Sequence, residues 1–96
     1  MIKLEKKYVT MIKRILTEQS PDCEVRLFGS RTNSKAVKYS DIDIALVGKR
    51  KLNWRLIEKI KLAFSESDIP YMVDVVDWHA ISPEFRKVIE KKFEVL

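Results

Sequence analysis

The chain has 96 residues, 46% of them hydrophobic and 34% charged, and its 19 Lys and Arg against 14 Asp and Glu give a formal net charge of +5. A chain of this size removes only about 60–65% of its unfolded surface from water on folding, which predicts one domain spanning 1–96 with no separate substrate-binding domain. Two Gly and three Pro among many aliphatic residues exclude collagen-like, linker-like and wholly disordered chains.

Hydropathy and cysteine usage indicate where such a chain works. The longest uninterrupted apolar run covers 44–47 and charge interrupts the first residues, so neither a membrane span nor a signal peptide is expected. A single cysteine and a single histidine leave no intramolecular disulfide and no structural zinc set. We therefore expect a cytoplasmic protein without membrane contact. Its basic charge favours polyanionic partners, namely nucleotides, nucleic acid or anionic surfaces.

Hydrophobic periodicity predicts alternating helices and strands. The elements are, in chain order, a helix over 3–19, a strand over 24–28, a polar loop with one helical turn over 31–40, a strand over 42–47, a helix over 53–66 with an apolar stripe of Trp54, Ile57, Ile60 and Phe64, a strand over 71–77, and a last helix after the cap signal Ser82-Pro83. The order α-β-β-α-β-α predicts an α/β (α+β) fold, in which helices pack on a small sheet.

Two aspartates stand at the start of the second predicted strand. Asp41 and Asp43 are two residues apart, so both carboxylates project from the same face of that strand. An aspartate at a strand's first residue is ordinary turn chemistry, and this pair alone does not define a metal site. Asp43, however, lies inside an otherwise apolar strand, where an unpaired carboxylate is costly to bury. Its position favours a neighbouring cation.

The third predicted strand holds two more aspartates on opposite faces. Alternation separates Asp74 from Asp77, so only one of them can join the first pair. We select Asp74 because it lies mid-strand, and we leave Asp77 near the strand end as a surface or structural residue that water can solvate. Three carboxylates carry roughly −3, which two Mg²⁺ ions would more than neutralise. Three unrelated aspartates that cap turns remain the alternative.

A glycine and a serine close the first predicted strand. Gly29 allows close backbone approach, and the Ser30 hydroxyl with the following N–H groups can bind phosphate oxygens. A turn with an N-capping serine explains the same two residues. Taken alone, this dipeptide does not decide between the two interpretations.

Combined, these motifs are more specific than any of them alone. Gly29-Ser30, ten further residues, Asp41-Ile42-Asp43 and a later strand aspartate resemble the nucleotidyltransferase superfamily that includes DNA polymerase beta, and most of all its minimal nucleotidyltransferases. The resemblance covers 20–96 and implies the polymerase beta-like fold, a mixed sheet flanked by helices. It also implies roles by matching position: Gly29 and Ser30 contact the β- and γ-phosphates, Asp41 and Asp43 bind two Mg²⁺ ions, and Asp74 binds the ion nearest the attacking hydroxyl.

The same resemblance implies an activity and a partner. Minimal members of that family are typically encoded beside a helical HEPN-domain toxin and act as its antitoxin, some by transferring AMP from ATP to a tyrosine of the toxin. We therefore expect a Mg²⁺-dependent nucleotidyltransferase with ATP as donor and a HEPN-domain protein as acceptor. Arg31 and Ser40, between the two motif halves, are further candidates for nucleotide binding. Lys35 and Lys38 are equally explained as solvated loop charge.

Two other functions fit the residues. A non-catalytic binding module would neutralise its partner by covering it, with a vestigial metal site. A basic RNA-binding domain would use the net charge and leave the aspartates incidental, but the chain lacks aromatic residues interleaved with basic ones. In each case the apolar surface of so small a domain predicts a homodimer or a heteromer.

Overall fold

The computed structural model describes residues 4–29 and 41–96, in which three helices pack on a four-stranded sheet. The elements are α1 (Lys6–Gln19), β1 (Glu24–Phe28), β2 (Ile42–Val47), α2 (Trp54–Ser65), β3 (Val73–Asp77), a 3₁₀ turn (Trp78–Ala80), α3 (Pro83–Lys91) and β4 (Glu94–Val95). The predicted small mixed sheet flanked by helices is confirmed.

The sheet has the strand order β3-β2-β1-β4, with β1 antiparallel to both of its neighbours and β2 parallel to β3. In this topology β1 ends at the same edge of the sheet at which β2 and β3 begin. We call this the carboxylate edge, because Asp41, Asp43 and Asp74 all lie at the starts of β2 and β3. The opposite edge carries the connections from β2 to α2 and from β3 to α3.

The larger core lies between the sheet and the first two helices. Alternation along the strands sends one set of apolar side chains to this face, where helix residues spaced three or four apart meet them. Its buried members are Ile12, Leu16, Leu27, Ile42, Ile44, Leu46, Ile60, Phe64, Ile69 and Val75. Burial of each such large side chain contributes about 1.5–3 kcal/mol, so this face supplies most of the hydrophobic stabilisation.

A smaller core fills the other sheet face beneath α3. Its buried residues are Ala45, Trp78 and Ile89, with half-buried apolar neighbours around them. The guanidinium of Arg26 lies 4.8 Å from the centre of the Trp78 ring and 4.6 Å from that of Phe93. Helix α3 begins as the sequence predicts: Ser82 Oγ accepts a hydrogen bond from the Phe85 N–H at 3.1 Å, and Pro83 takes the first turn.

Four features differ from the predictions. Helix α1 begins at Lys6 and strand β3 at Val73, each later than predicted. Trp54, assigned to the apolar stripe of α2, is 67% exposed, because it is the first helical residue and lies one turn before the buried part of that stripe. Strand β4 was not predicted, since two residues are too short to show a period, and only pairing with Arg26 and Leu27 of β1 defines it.

None of the helices in the two described ranges has the length and apolar character needed to cross a bilayer.

Candidate active site

The sheet brings four of the seven predicted site residues to one place. Gly29 directly follows β1, Asp41 precedes β2, and Asp43 and Asp74 are the second residues of β2 and β3. The other three predicted residues, Ser30, Arg31 and Ser40, lie outside the described residues, as does the loop predicted for 31–40. The geometry of the site is therefore that of the carboxylate edge.

Asp43 and Asp74 are direct neighbours across the sheet. They are register partners in the parallel pairing of β2 with β3. Adjacent strands lie about 4.8 Å apart, and register partners project to the same face, so the two carboxylates stand side by side. Both are on the face covered by α3, opposite the larger core. Alternation separated Asp74 from Asp77, its mid-strand position selected it, and the register puts it beside Asp43.

The half-buried Asp43 is electrostatically strained. Burial raises the pKa of its carboxyl above the ordinary value, and the nearby charges of Asp74 and then Asp41 raise the pKa further. No cationic side chain among the described residues lowers it in return. A carboxyl in this state gains from a bound cation, which would remove the repulsion between three negative groups.

The described ranges contain no group of three or more His, Cys, Asp or Glu side chains already close enough to enclose a metal ion. The fit to a metal therefore rests on the chemistry of the donors. Carboxylate oxygens are the ligands that Mg²⁺ prefers, and Mg²⁺ typically takes one or two carboxylates together with substrate phosphates and water. The Asp43 and Asp74 pair, with Asp41 nearby, matches that donor set.

Gly29 packs its backbone against the Asp43 carboxylate. Its φ of 81° lies in the left-handed region, which side chains with a Cβ rarely adopt. A Cβ added at this position would overlap the Asp43 Oδ2 atom. Two constraints thus require glycine here, namely the left-handed backbone conformation and the close approach of the β1 terminus to the Asp43 carboxylate.

Asp77 has a structural role, and the prediction that water solvates it is wrong. The residue is only 6% exposed and lies on the opposite face from Asp74. Its Oδ2 accepts a hydrogen bond from Leu52 N–H at 2.7 Å, and its Oδ1 accepts one from His79 N–H at 3.0 Å. The hydrogen bond from His79, two residues later in the chain, forms an Asx turn. Such a turn is a local structure that an aspartate in the sequence can indicate.

His79 and Cys23 do not belong to the carboxylate edge. His79 Nε2 lies 2.7 Å from the Gly48 carbonyl oxygen, so its ring fastens the loop that follows β2. Burial raises the pKa of the Cys23 thiol, and the charges of Asp77 and Asp22 raise it further. A raised pKa disfavours the reactive thiolate, which agrees with an inert cysteine.

Two aromatic residues beside the carboxylates were not assigned to the site from sequence. Phe28 is the register partner of Asp43 in the antiparallel pairing of β1 with β2. The ring of Phe85 on α3 meets the Phe28 ring edge to face, with centroids 5.8 Å apart. Strand alternation places Phe28 on the Asp43 face, but only the packing of α3 shows that Phe85 lies against it.

Comparison with known proteins identifies the fold and the family. The family model described as polymerase beta, nucleotidyltransferase, matches residues 10–96. A relative from Haemophilus influenzae, called "Probable protein adenylyltransferase MntA", is 42% identical over 88 residues, covering 92% of this chain and 77% of its own length.

Solved structures agree with that family match. A chain in a rebuilt structure of the tri-AMPylated Shewanella oneidensis HEPN toxin in complex with MNT antitoxin superimposes with a TM-score of 0.67 at 25% identity, covering 96% of this chain and 71% of that one. A chain in a toxin-antitoxin structure with AMP-PNP gives a TM-score of 0.68 at 25% identity, covering 90% and 69%.

The predicted resemblance to minimal nucleotidyltransferases is therefore confirmed by the family model, a curated relative and the fold. The match includes the segment that carries Gly29 and the three aspartates of the carboxylate edge. The chain belongs to the polymerase beta nucleotidyltransferase family.

Proposed function

We propose that the chain transfers AMP from ATP to a hydroxyl group of a HEPN-domain partner protein and thereby acts as its antitoxin. The observation that carries the proposal is the pairing of Asp43 with Asp74 in register, with the Gly29 backbone packed against Asp43. The names of the relatives, a protein adenylyltransferase and an MNT antitoxin crystallised with an AMPylated toxin, supply the donor and the acceptor class.

In this proposal, each residue of the carboxylate edge has a role. Asp41 and Asp43 would hold both Mg²⁺ ions, and Asp74 would hold the one nearest the attacking hydroxyl. Gly29 and Ser30 would contact the β- and γ-phosphates, with Arg31 and Ser40 completing the nucleotide site. When bound, Mg²⁺ neutralises phosphate charge and makes the attacking hydroxyl more acidic.

The proposed reaction exchanges one phosphorus–oxygen bond for another. The acceptor oxygen forms a bond to the α-phosphorus of ATP, while the bond from that phosphorus to the bridging oxygen breaks. Pyrophosphate leaves with the electron pair of the broken bond. The hydroxyl proton passes to the Asp74 carboxylate, which is exposed to the incoming acceptor. The products are pyrophosphate and an acceptor that carries AMP through a phosphodiester.

The test is label transfer from α-³²P ATP in the presence of Mg²⁺ to the purified, unmodified HEPN-domain partner of the same host. The double variant Asp41→Asn/Asp43→Asn is expected to transfer label at least about 100-fold more slowly. Loss of the electrostatic stabilisation of a transition state has an effect of about this size. The matched control Asp22→Asn/Asp68→Asn also removes two negative charges, from exposed positions away from the edge, and should keep the wild-type rate.

The outcomes separate the three functional hypotheses. Label on the protein partner with wild type and control, and none with the edge variant, supports the proposal. Label on RNA in a host extract would move the acceptor class to nucleic acid. If wild type transfers no label, and the edge variant still binds and neutralises the partner, the chain is a steric binding module and the proposal is wrong.

A further inference from the structure

We infer that three exposed apolar side chains beside the carboxylate edge, Met72, Phe85 and Val88, form the docking surface for the acceptor protein. We call this set the acceptor rim. The inference rests on the proposed transfer function, because it names the surface that presents the acceptor hydroxyl to Asp43 and Asp74. It gives a function to three residues that have no role in the proposed binding of nucleotide or metal.

Phe85 connects helix α3 to the carboxylate edge. Its ring packs edge to face on Phe28, whose strand position is directly opposite Asp43. Directly opposed residues of an antiparallel pair have Cβ atoms about 4.5–5.5 Å apart. Phe85 is therefore one side chain removed from the Asp43 carboxylate, and 36% of it remains exposed on the side that Phe28 does not cover.

Val88 extends this surface by one turn of α3. Residues three apart are neighbours on a helix surface, so Val88 lies beside Phe85, and it is 59% exposed. The other flank of the helix is held down, because Arg86 Nε donates a hydrogen bond to the Trp78 carbonyl oxygen at 2.9 Å. This anchor fixes the rotation of α3 and leaves the side with Phe85 and Val88 open.

Met72 lies at the same end of the sheet as the carboxylates. Its carbonyl oxygen accepts a hydrogen bond from Ile42 N–H at 2.9 Å, so the ladder between β2 and β3 continues to this residue. Met72 stands two positions before Asp74, at the residue that directly precedes β3. At 72% it is the most exposed large apolar side chain in the described part of the chain. Met72 thus adds an exposed apolar residue at the end of the sheet that carries the carboxylate pair.

The chemistry of the acceptor rim points to a protein as its occupant. Phosphate and ribose groups are recognised by cations, N–H groups and polar side chains, and none of the three rim side chains offers one. Aromatic residues and Met are enriched at protein interfaces. Phe85 and Val88 adjoin the proposed active site on the face to which the carboxylates project, and Met72 lies at the same end of the sheet. An acceptor docked there would present its hydroxyl to Asp74.

The chain provides a control of nearly equal exposure on the opposite face. Leu62 of α2 is 58% exposed, against 59% for Val88. The proposed experiment measures steady-state AMP transfer to the purified HEPN-domain partner for wild type and the Val88→Glu, Met72→Gln and Leu62→Glu variants. Phe85 is left unchanged, because its contact with Phe28 also supports α3. Thermal melting of each variant establishes that the fold is retained.

We expect the rim variants to change the KM for the acceptor and not the KM for ATP. Val88→Glu should raise the KM for the acceptor at least about tenfold, the size of a typical interface contact, while the KM for ATP stays within about twofold. Met72→Gln should raise the acceptor KM in the same direction by a smaller factor. Leu62→Glu should leave both constants within about twofold of wild type, since it lies on the face away from the carboxylates.

Other results would overturn the inference. Equal effects of Val88→Glu and Leu62→Glu on the acceptor KM would show that the rim has no special role. A rise confined to the KM for ATP would make the rim a nucleotide contact. A wild-type dimer that Val88→Glu dissociates with no change in acceptor KM would make it a surface between two copies. Absence of transfer by wild type would refute the proposed function, whereas wild-type transfer with unaffected rim variants refutes only this inference.

Discussion

The two faces of the sheet have different tasks. Among the described residues, the face covered by α1 and α2 buries ten hydrophobic residues in a continuous core, whereas the face covered by α3 buries Ala45, Trp78 and Ile89. The second face also carries the paired carboxylates of Asp43 and Asp74 at its open edge. Helix α3, which has nine residues, packs on this face, and Asp74 at its open edge is exposed.

This difference shows how a very small domain combines stability with a reactive site. Carboxylates that repel each other cost free energy, and that cost is tolerated where the other face supplies the hydrophobic stabilisation. Substitutions on the α1 and α2 face should therefore change stability, and substitutions at the carboxylate edge should change activity. Four predictions test this division, starting with the largest expected effect.

Truncation of Ile44 should have the largest effect. Ile44 is fully buried in the larger core, and Ile44→Ala removes side-chain contacts and leaves a cavity, which costs about 2–5 kcal/mol of unfolding free energy. The half-buried Val47, on the other face of the same strand, is the control, and Val47→Ala should cost about 1 kcal/mol. Urea denaturation measures both values. Equal losses would show that the two faces contribute equally to stability.

The two aspartates of β3 should behave in opposite ways. Asp77→Asn should cost about 1–3 kcal/mol, because an amide cannot accept both hydrogen bonds that the buried carboxylate accepts from Leu52 and His79. Asp74→Asn, at an exposed position, should leave stability nearly unchanged and reduce AMP transfer. Denaturation measures the stability of both variants, and label transfer measures their activity. A transfer defect confined to Asp77→Asn would contradict the selection of Asp74.

Gly29→Ala should affect both stability and activity. An alanine at φ 81° costs about 1–2 kcal/mol, and its methyl group would displace the Asp43 carboxylate. Transfer should fall at least about tenfold, since the displaced carboxylate no longer pairs correctly with Asp74. Gly48→Ala is the control: its added Cβ would lie 3.3 Å from Cys23 Sγ and from Leu52 Cδ2, contacts that a small adjustment relieves. Transfer by the Gly48 variant should stay near wild type.

The smallest expected effect is a gain in stability. Burial, Asp74 and Asp41 all raise the pKa of Asp43, so its charged form is disfavoured in the folded state. Asp43→Asn should therefore melt a few degrees higher than wild type at neutral pH in EDTA. Mg²⁺ with a non-hydrolysable ATP analogue should raise the melting temperature of wild type and not that of the variant. A lower melting temperature of Asp43→Asn in EDTA would show that the charge is not repelled.

The sequence by itself determined the local features. Period and turn signals predicted the three helices and the first three strands, and alternation separated Asp74 from Asp77 on β3. These properties follow from the side-chain geometry of single helices and strands, which spans only a few residues. The spacing of Gly29-Ser30 from the two following aspartates also indicated the family, which the comparisons confirmed.

The tertiary structure decided what depends on distant partners. The parallel register set Asp74 beside Asp43, and packing buried Asp77 against the loop that precedes α2. Contact with Phe28 brought Phe85 to the carboxylate edge, while pairing with β1 created β4. Residues far apart in the chain become neighbours only when strand order and register are fixed. A one-residue change of register in a strand would have moved all of that strand's side chains to the other face.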